Sequence, residues 1–123
     1  MNKNLEIGYN GELIAAKYLR EKKYEIIERN YRNKYGEIDL IAWDKKALVF
    51  VEVRTKVGQQ FGSPEDSINW KKINKLKRNA AAYTALKKHA GVYRIDAVCI
   101  VLGENSSIER VTHYQNITFW RVG

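Results

Sequence analysis

The chain has 123 residues, 45% hydrophobic and 29% charged, a balance that fits one folded domain over residues 1–123 with a single core and excludes a disordered chain. No apolar run approaches the ~20 residues of a membrane span, and the start MNKNLEIGYNGEL lacks the charged-then-apolar order of an export signal, so a cytoplasmic protein without membrane attachment is expected. The net charge of +8 lies in one segment: Ser67 to Ile95 holds eight basic residues and no acid, while fourteen basic residues offset fourteen acids elsewhere.

Leu5 to Lys22 has helical spacing, with Leu5, Gly8, Glu12, Ala16 and Leu19 close together on one face. KYEIIERNY, residues 23 to 31, is rich in β-formers and predicts a strand. Ile38 to Trp43 and Leu48 to Arg54 predict a hairpin that turns at Asp44, Lys45 and Lys46. Ser63, Pro64, Glu65 and Asp66 follow the order of an N-cap, a first-turn proline and acids at the positive helix end. A long helix is therefore expected over much of 64 to 89, broken near Asn69 and ended by Gly91. Trp70, Ile73, Leu76, Ala80 and Tyr83 supply its apolar stripe, and Lys71, Lys75 and Arg78 point away. VYRIDAVCIVL, residues 92 to 102, is too apolar for an edge and predicts a central strand, with Cys99 as a core residue. Ile108 to Tyr114 predicts the last strand. The order α-β-β-β-α-β-β predicts an α/β (α+β) fold, a central mixed five-stranded sheet flanked by helices.

Three acids sit in apolar settings: Glu12 in the helical stripe, Asp39 in IDLIAW and Glu52 in LVFVEV. Burying an ionised carboxylate is costly unless something pairs with it. Strand alternation puts Leu48, Phe50, Glu52 and Arg54 on one face, and Glu37, Asp39, Ile41 and Trp43 on one face of the strand before. A simple hairpin register brings Asp39 to Glu52. Two such carboxylates repel and raise each other's pKa unless a cation lies between them. Mg²⁺, or Mn²⁺ in its stead, takes hard oxygen ligands together with waters and substrate phosphates, and can activate water against a phosphodiester. The competing reading is that each acid makes a structural salt bridge to one of the many Lys or Arg side chains. Two strand acids, a same-face Arg54, a third acid on the helix and a basic surface favour a metal-dependent enzyme acting on a polyanion, with nucleic acid ahead of an acidic protein or a membrane surface.

The order of these residues resembles the signature of the PD-(D/E)xK nucleases: Glu12 on a helix, Asp39 in one strand, Glu52-x-Arg54 in the next. More closely, GYNGELIAAKYL, GEIDLIAW, LVFVEVRTK, FGSPEDSI and RIDAVCIV resemble, in order, the blocks of the YraN-like family of small bacterial proteins, from about Gly8 to Ile100. That family is similar in fold to restriction endonucleases and to archaeal Holliday junction resolvases. The resemblance implies a restriction-endonuclease-like domain in which Glu12, Asp39 and Glu52 bind metal and Arg54 stands where the motif has lysine. Arg stays charged where a desolvated Lys can lose its proton, so Arg54 suits a phosphate better than general-base work. Lys56, two residues on and on the same face if the strand continues, is the candidate to supply what Arg54 cannot.

Other residues carry weaker signals. His89 near a helix end reads as a dipole partner, His113 lies in no ligand spacing, and Ser63 reads as a cap rather than a nucleophile. Asp96 reads equally as a partner of Arg94 or a site residue. Tyr35, Trp70 and Tyr83 could stack on bases, although Trp70 and Tyr83 fit the core stripe better. Lys71, Lys72, Lys75 and Arg78 are the expected phosphate contacts. The expectation is a Mg²⁺-dependent endonuclease on DNA rather than RNA, including branched or repair intermediates; symmetric cutting of two strands would favour a homodimer. The alternatives are a catalytically inactive nucleic-acid-binding module on the same scaffold, and an interaction domain with structural carboxylates.

Overall fold

The computed structural model describes residues 3–58 and 60–120, apart from the side chains of Asn4, Leu5 and Tyr9. Helix α1 (Lys3–Glu21) leads into strands β1 (Glu25–Asn33), β2 (Gly36–Asp44) and β3 (Ala47–Val57). A 3₁₀ turn (Pro64–Ser67), helix α2 (Trp70–Leu86) and strands β4 (Tyr93–Leu102) and β5 (Ile108–Tyr114) follow. The sheet order is β1-β2-β3-β4-β5, antiparallel except for the parallel β3–β4 pair. The expected mixed five-stranded sheet flanked by helices is therefore present, with β4 inside it. No helix among the described residues is long and apolar enough to cross a membrane.

Alternation splits the core between the two sheet faces. Leu40, Ala42, Val49, Val51, Val98 and Ile100 meet Ala15, Ala16 and Leu19 of α1. Ile41, Leu48, Phe50, Ile95, Ala97 and Cys99 meet Ile73, Leu76, Ala80 and Tyr83 of α2. The α1 stripe holds for Ala16 and Leu19, with Glu12 half-buried at its rim and Gly8 exposed; the Leu5 side chain lies outside the described residues. Gly11 is buried because α1 crosses β3 there: a Cβ on Gly11 would stand 1.9 Å from Thr55 Oγ1. That close approach sets Glu12, the next residue, over the end of β3.

The break expected near Asn69 is real. Asn69 caps α2, its side chain accepting a hydrogen bond from the Lys72 backbone N–H at 3.0 Å. The 3₁₀ turn before it is tied to β5 by Glu65, which accepts from Arg110 at 2.6 and 2.9 Å and from the Tyr114 hydroxyl at 2.7 Å. These bonds, the pair from Arg110 first, hold the Glu65 carboxyl down at about 2. Two expectations fail. The helix ends at Leu86, not Gly91, because Lys88 turns into the left-handed region (φ 54°) and the His89 N–H closes back on Thr84. Trp70 is 59% exposed: as the first residue of α2 it shares the helical spacing of the stripe but overhangs the end of the core.

Asn79, buried inside the α2 stripe, accepts from the Asn33 side chain at 2.7 Å and donates to the Gly36 carbonyl at 3.2 Å. It thereby fixes α2 to the β1–β2 turn, where Gly36 adopts φ 123°, a conformation closed to residues with a Cβ. Glu37 begins at that anchored turn.

Candidate functional site

The β2–β3 ladder pairs Asp44 with Ala47 and runs to Leu40 with Val51, where it stops. One residue further, the same register sets Asp39 opposite Glu52. The strands splay there, and the Asp39 carboxylate fills the gap by accepting the Val53 backbone N–H at 2.8 Å. On its other side, the β1–β2 ladder passes from Arg29–Leu40 to Tyr31–Ile38 and omits Asn30 opposite Asp39. Asn30 is in the left-handed region (φ 51°), which Asn tolerates better than most residues. The resulting kink breaks the alternation of β2, so that Ile38 and Ile41 both pack toward α2.

This local irregularity gathers the acids. One carboxylate oxygen from each of Glu12, Glu37 and Asp39 lies within 4.8 Å of the others. Glu52 adjoins Asp39 and is 2% exposed. Burial, the Glu52 charge and a hydrogen bond that protonated Asp39 makes to Glu52 push the Asp39 pKa up to about 8, against the Val53 N–H, which lowers it. Glu12 is also raised, by burial and then by Glu37, with Asn30 and Arg29 opposing. No ion pair to Asp39 or Glu12 forms among the described residues. Among the described residues Glu37 pairs with the exposed Arg32, at 3.3 Å.

The cations stand on the other side of Glu52. Arg54 Nη2 is 2.9 Å and Lys72 Nζ 3.4 Å from Glu52 Oε2. Neither contact has hydrogen-bond alignment, and Glu52 Oε2 and Arg54 Nε are buried polar atoms with no hydrogen-bond partner among the described residues. Such orphaned atoms are rare in native interiors and call for a ligand, an ion or water. A cleft of about 520 Å³ lies beside Arg54, lined by Glu12, Arg54, Thr55 and Lys56 between α1 and the 3₁₀ turn; Asp39 and Glu52 do not line it. A smaller recess of about 120 Å³ beside Glu37 is lined by Tyr35, Lys72 and Lys75.

A family model described as "Uncharacterised protein family UPF0102" matches residues 11–100. The chain belongs to the UPF0102 family. It is 40% identical over 113 residues to a UPF0102 protein of Desulforamulus reducens, covering 89% of this chain and 93% of that one. It is 44% identical over 106 residues to one of Clostridium botulinum, covering 85% and 86%. With one of Alkaliphilus metalliredigens the identity is 40% over 120 residues, 97% and 100% of the two chains. The span matched to UPF0102 contains Glu12, Glu37, Asp39, Glu52, Arg54, Lys56 and Lys72.

Two site residues escaped the sequence reading. Glu37 shares a strand face with Asp39, a signal that was visible, but its meeting with Glu12 depends on the kink at Asn30. Lys72 reads as a surface phosphate contact, whereas the capped first turn of α2 delivers it to Glu52. Lys71, Lys75 and Arg78 are exposed on α2 as expected. Lys56 lies on β3 in the same cleft as Glu12 and Arg54. Tyr83 is buried in the core, with its hydroxyl donated to Glu28.

Asp96, the remaining buried strand acid, lies elsewhere and is fully satisfied. It accepts from His113 Nε2 at 2.8 Å, from Arg94 Nε at 3.0 Å and Nη2 at 3.3 Å, and from the Asn116 N–H at 3.0 Å. These bonds outweigh the burial that opposes them and lower its pKa. The structural alternative is thus the right one for Asp96. His89 lies beyond the end of α2, its Nε2 3.0 Å from the Val92 carbonyl.

Proposed function

We propose that this UPF0102 chain is a metal-dependent endonuclease that hydrolyses phosphodiester bonds in DNA, branched or repair intermediates included. The observation that carries this reading is the gathering of Glu12, Glu37, Asp39 and Glu52 at the splay of β2 and β3 with too few cations to neutralise them. All the donors are hard oxygens, the set that suits Mg²⁺ or Mn²⁺ and not a softer metal. A divalent cation held by Glu12 and Asp39, with Glu37 in the same cluster and Glu52 adjoining Asp39, would relieve the repulsion that raises Asp39. When bound, it supplies Lewis-acid polarisation of the phosphate and lowers the pKa of water.

The protein's own groups then divide the work. Arg54, always charged, holds a non-bridging phosphate oxygen. Lys72, already at the Glu52 carboxylate, is the ammonium that can orient the attacking water or exchange a proton with it, the capacity that Arg54 lacks. Water adds across one P–O ester bond, leaving a phosphate on one end and a hydroxyl on the other. Lys71, Lys75 and Arg78 along α2 attract the backbone, and this contribution falls steeply with salt.

The deciding assay incubates the purified chain with linear and branched DNA and Mg²⁺ or Mn²⁺. Wild type is expected to cut, with a loss of at least roughly a hundredfold in Asp39→Asn or Glu52→Gln and a smaller loss in Lys72→Gln. A chain that cuts no DNA under these conditions overturns the reading. A second reading, an inactive nucleic-acid-binding module, is favoured by Arg54 at the lysine position and by the contacts of Arg54 and Lys72 to Glu52. It requires salt-steep binding without cleavage, unchanged or strengthened in Asp39→Asn.

A further inference from the structure

Helical spacing divides the exposed side of α2 into a ridge and two flanks. Lys72 and Lys75 line the flank that looks onto the carboxylates, beside the buried Asn79. Trp70, Asn74 and Lys77 line the opposite flank, where they form a groove of about 300 Å³ with Thr118 and Phe119. Lys71 and Arg78 stand on the ridge between. The two aromatic rings of this groove are among the most exposed in the chain, Trp70 at 59% and Phe119 at 79%, and Lys77 Nζ lies 5.7 Å from the centre of the Phe119 ring.

From this arrangement we infer that the Trp70–Phe119 groove is a stacking site for unpaired bases of single-stranded DNA that leaves the cleavage cleft over the α2 ridge. The inference rests on the nuclease reading for the direction of the strand, and it names the substrate feature: a tail, gap or branch beside the cut. Aromatic faces flanked by lysines form a sequence-tolerant platform for unstacked bases, and bases inside a duplex cannot present their faces to it. The α2 side of the groove belongs to an acid-free stretch, Ser67 to Ile95, that holds eight basic residues, so its charge complements a phosphodiester chain. A second copy of this +8 chain would set the same basic face against itself. A helix is ~10–12 Å across, so a phosphate at the acids and a base at Trp70 are separated by only a few nucleotides.

The test is fluorescence anisotropy in EDTA, with labelled single-stranded DNA, blunt duplex DNA and single-stranded RNA of one sequence. Trp70→Ala and Phe119→Ala are each expected to weaken single-strand binding roughly fivefold to a hundredfold. Trp70→Phe should restore part of the loss, and blunt duplex should bind within about twofold of wild type. Equal losses on duplex, or no loss on single strands, would overturn the inference. So would RNA bound more tightly than DNA through the same two residues, or a dimer that sedimentation detects in wild type and not in Trp70→Ala. Phe119→Ala keeps the test open if Trp70→Ala does not fold. Because EDTA removes catalysis, a wild type that binds in this way but never cuts sinks the nuclease reading alone. One that cuts but ignores Trp70 and Phe119 sinks the groove alone.

Discussion

Two strand acids set in apolar runs, Asp39 and Asp96, look alike in sequence, but Asp96 is fully buried and Asp39 only half-buried. Asp96 is enclosed by four donors from His113, Arg94 and Asn116, and its pKa falls. Among the described residues Asp39 has one donor, the Val53 N–H; it faces Glu52, Glu37 and Glu12, and its pKa rises. The first network closes the sheet beneath the end of α1, where Arg94 also reaches Asp44 at 3.0 Å and the Tyr24 hydroxyl at 2.6 Å. The second is left electrostatically open, at the place where the sheet itself opens. A buried acid that the fold has satisfied contributes to stability; one that the fold leaves unsatisfied carries a cost that a bound proton or a cation can offset.

The contrast can be broken most directly at Asp96. Asp96→Asn puts an amide N–H against donors from Arg94 and His113, and a loss of about 3–5 kcal/mol in denaturant unfolding is expected. An Asp96→Asn protein as stable as wild type would show that this network is not structural. The next effect tests how closely the open site depends on α1. Gly11→Ala drives a methyl into Thr55, and urea titration should show about 1–3 kcal/mol of destabilisation, with weaker Mg²⁺ binding because Glu12 moves. Unchanged stability would mean that the helix shifts freely.

The last effect has the opposite sign. Asp39 binds a proton more tightly folded than unfolded, so its favourable contribution is complete below its unfolded pKa of 3.8 and is lost as pH rises through about 8. In EDTA, Asp39→Asn keeps an acceptor for Val53 and removes this loss. Its Tm should match wild type near pH 3 and exceed it at pH 9, the gap opening between those two values. A variant less stable than wild type at pH 9 would make Asp39 a structural acid after all, like Asp96.

Much of this was legible in the chain itself. Alternation in β3 placed Glu52 and Arg54 together, the hairpin register brought Asp39 opposite Glu52, and helical spacing put Glu12 on the buried side of α1. Glu37 was harder to see, because strand alternation does not foresee a kink across two strands at Asn30. In sequence Lys72 reads as a surface cation, because its partner is a strand residue reached only once α2 is docked. Trp70 shows the limit of periodicity: spacing identifies a stripe, but not where the core beneath it ends.

By itself the sequence determined the elements, their order and the residues that carry the charge, because periodicity, capping and turn formation involve neighbours within a few positions. Tertiary structure decided which acids are satisfied, since donors arrive from far along the chain: His113 lies 17 residues from Asp96. At Asp39 the splay of β2 from β3 admits one backbone donor and three carboxylates, and the low dielectric of the interior makes that imbalance felt.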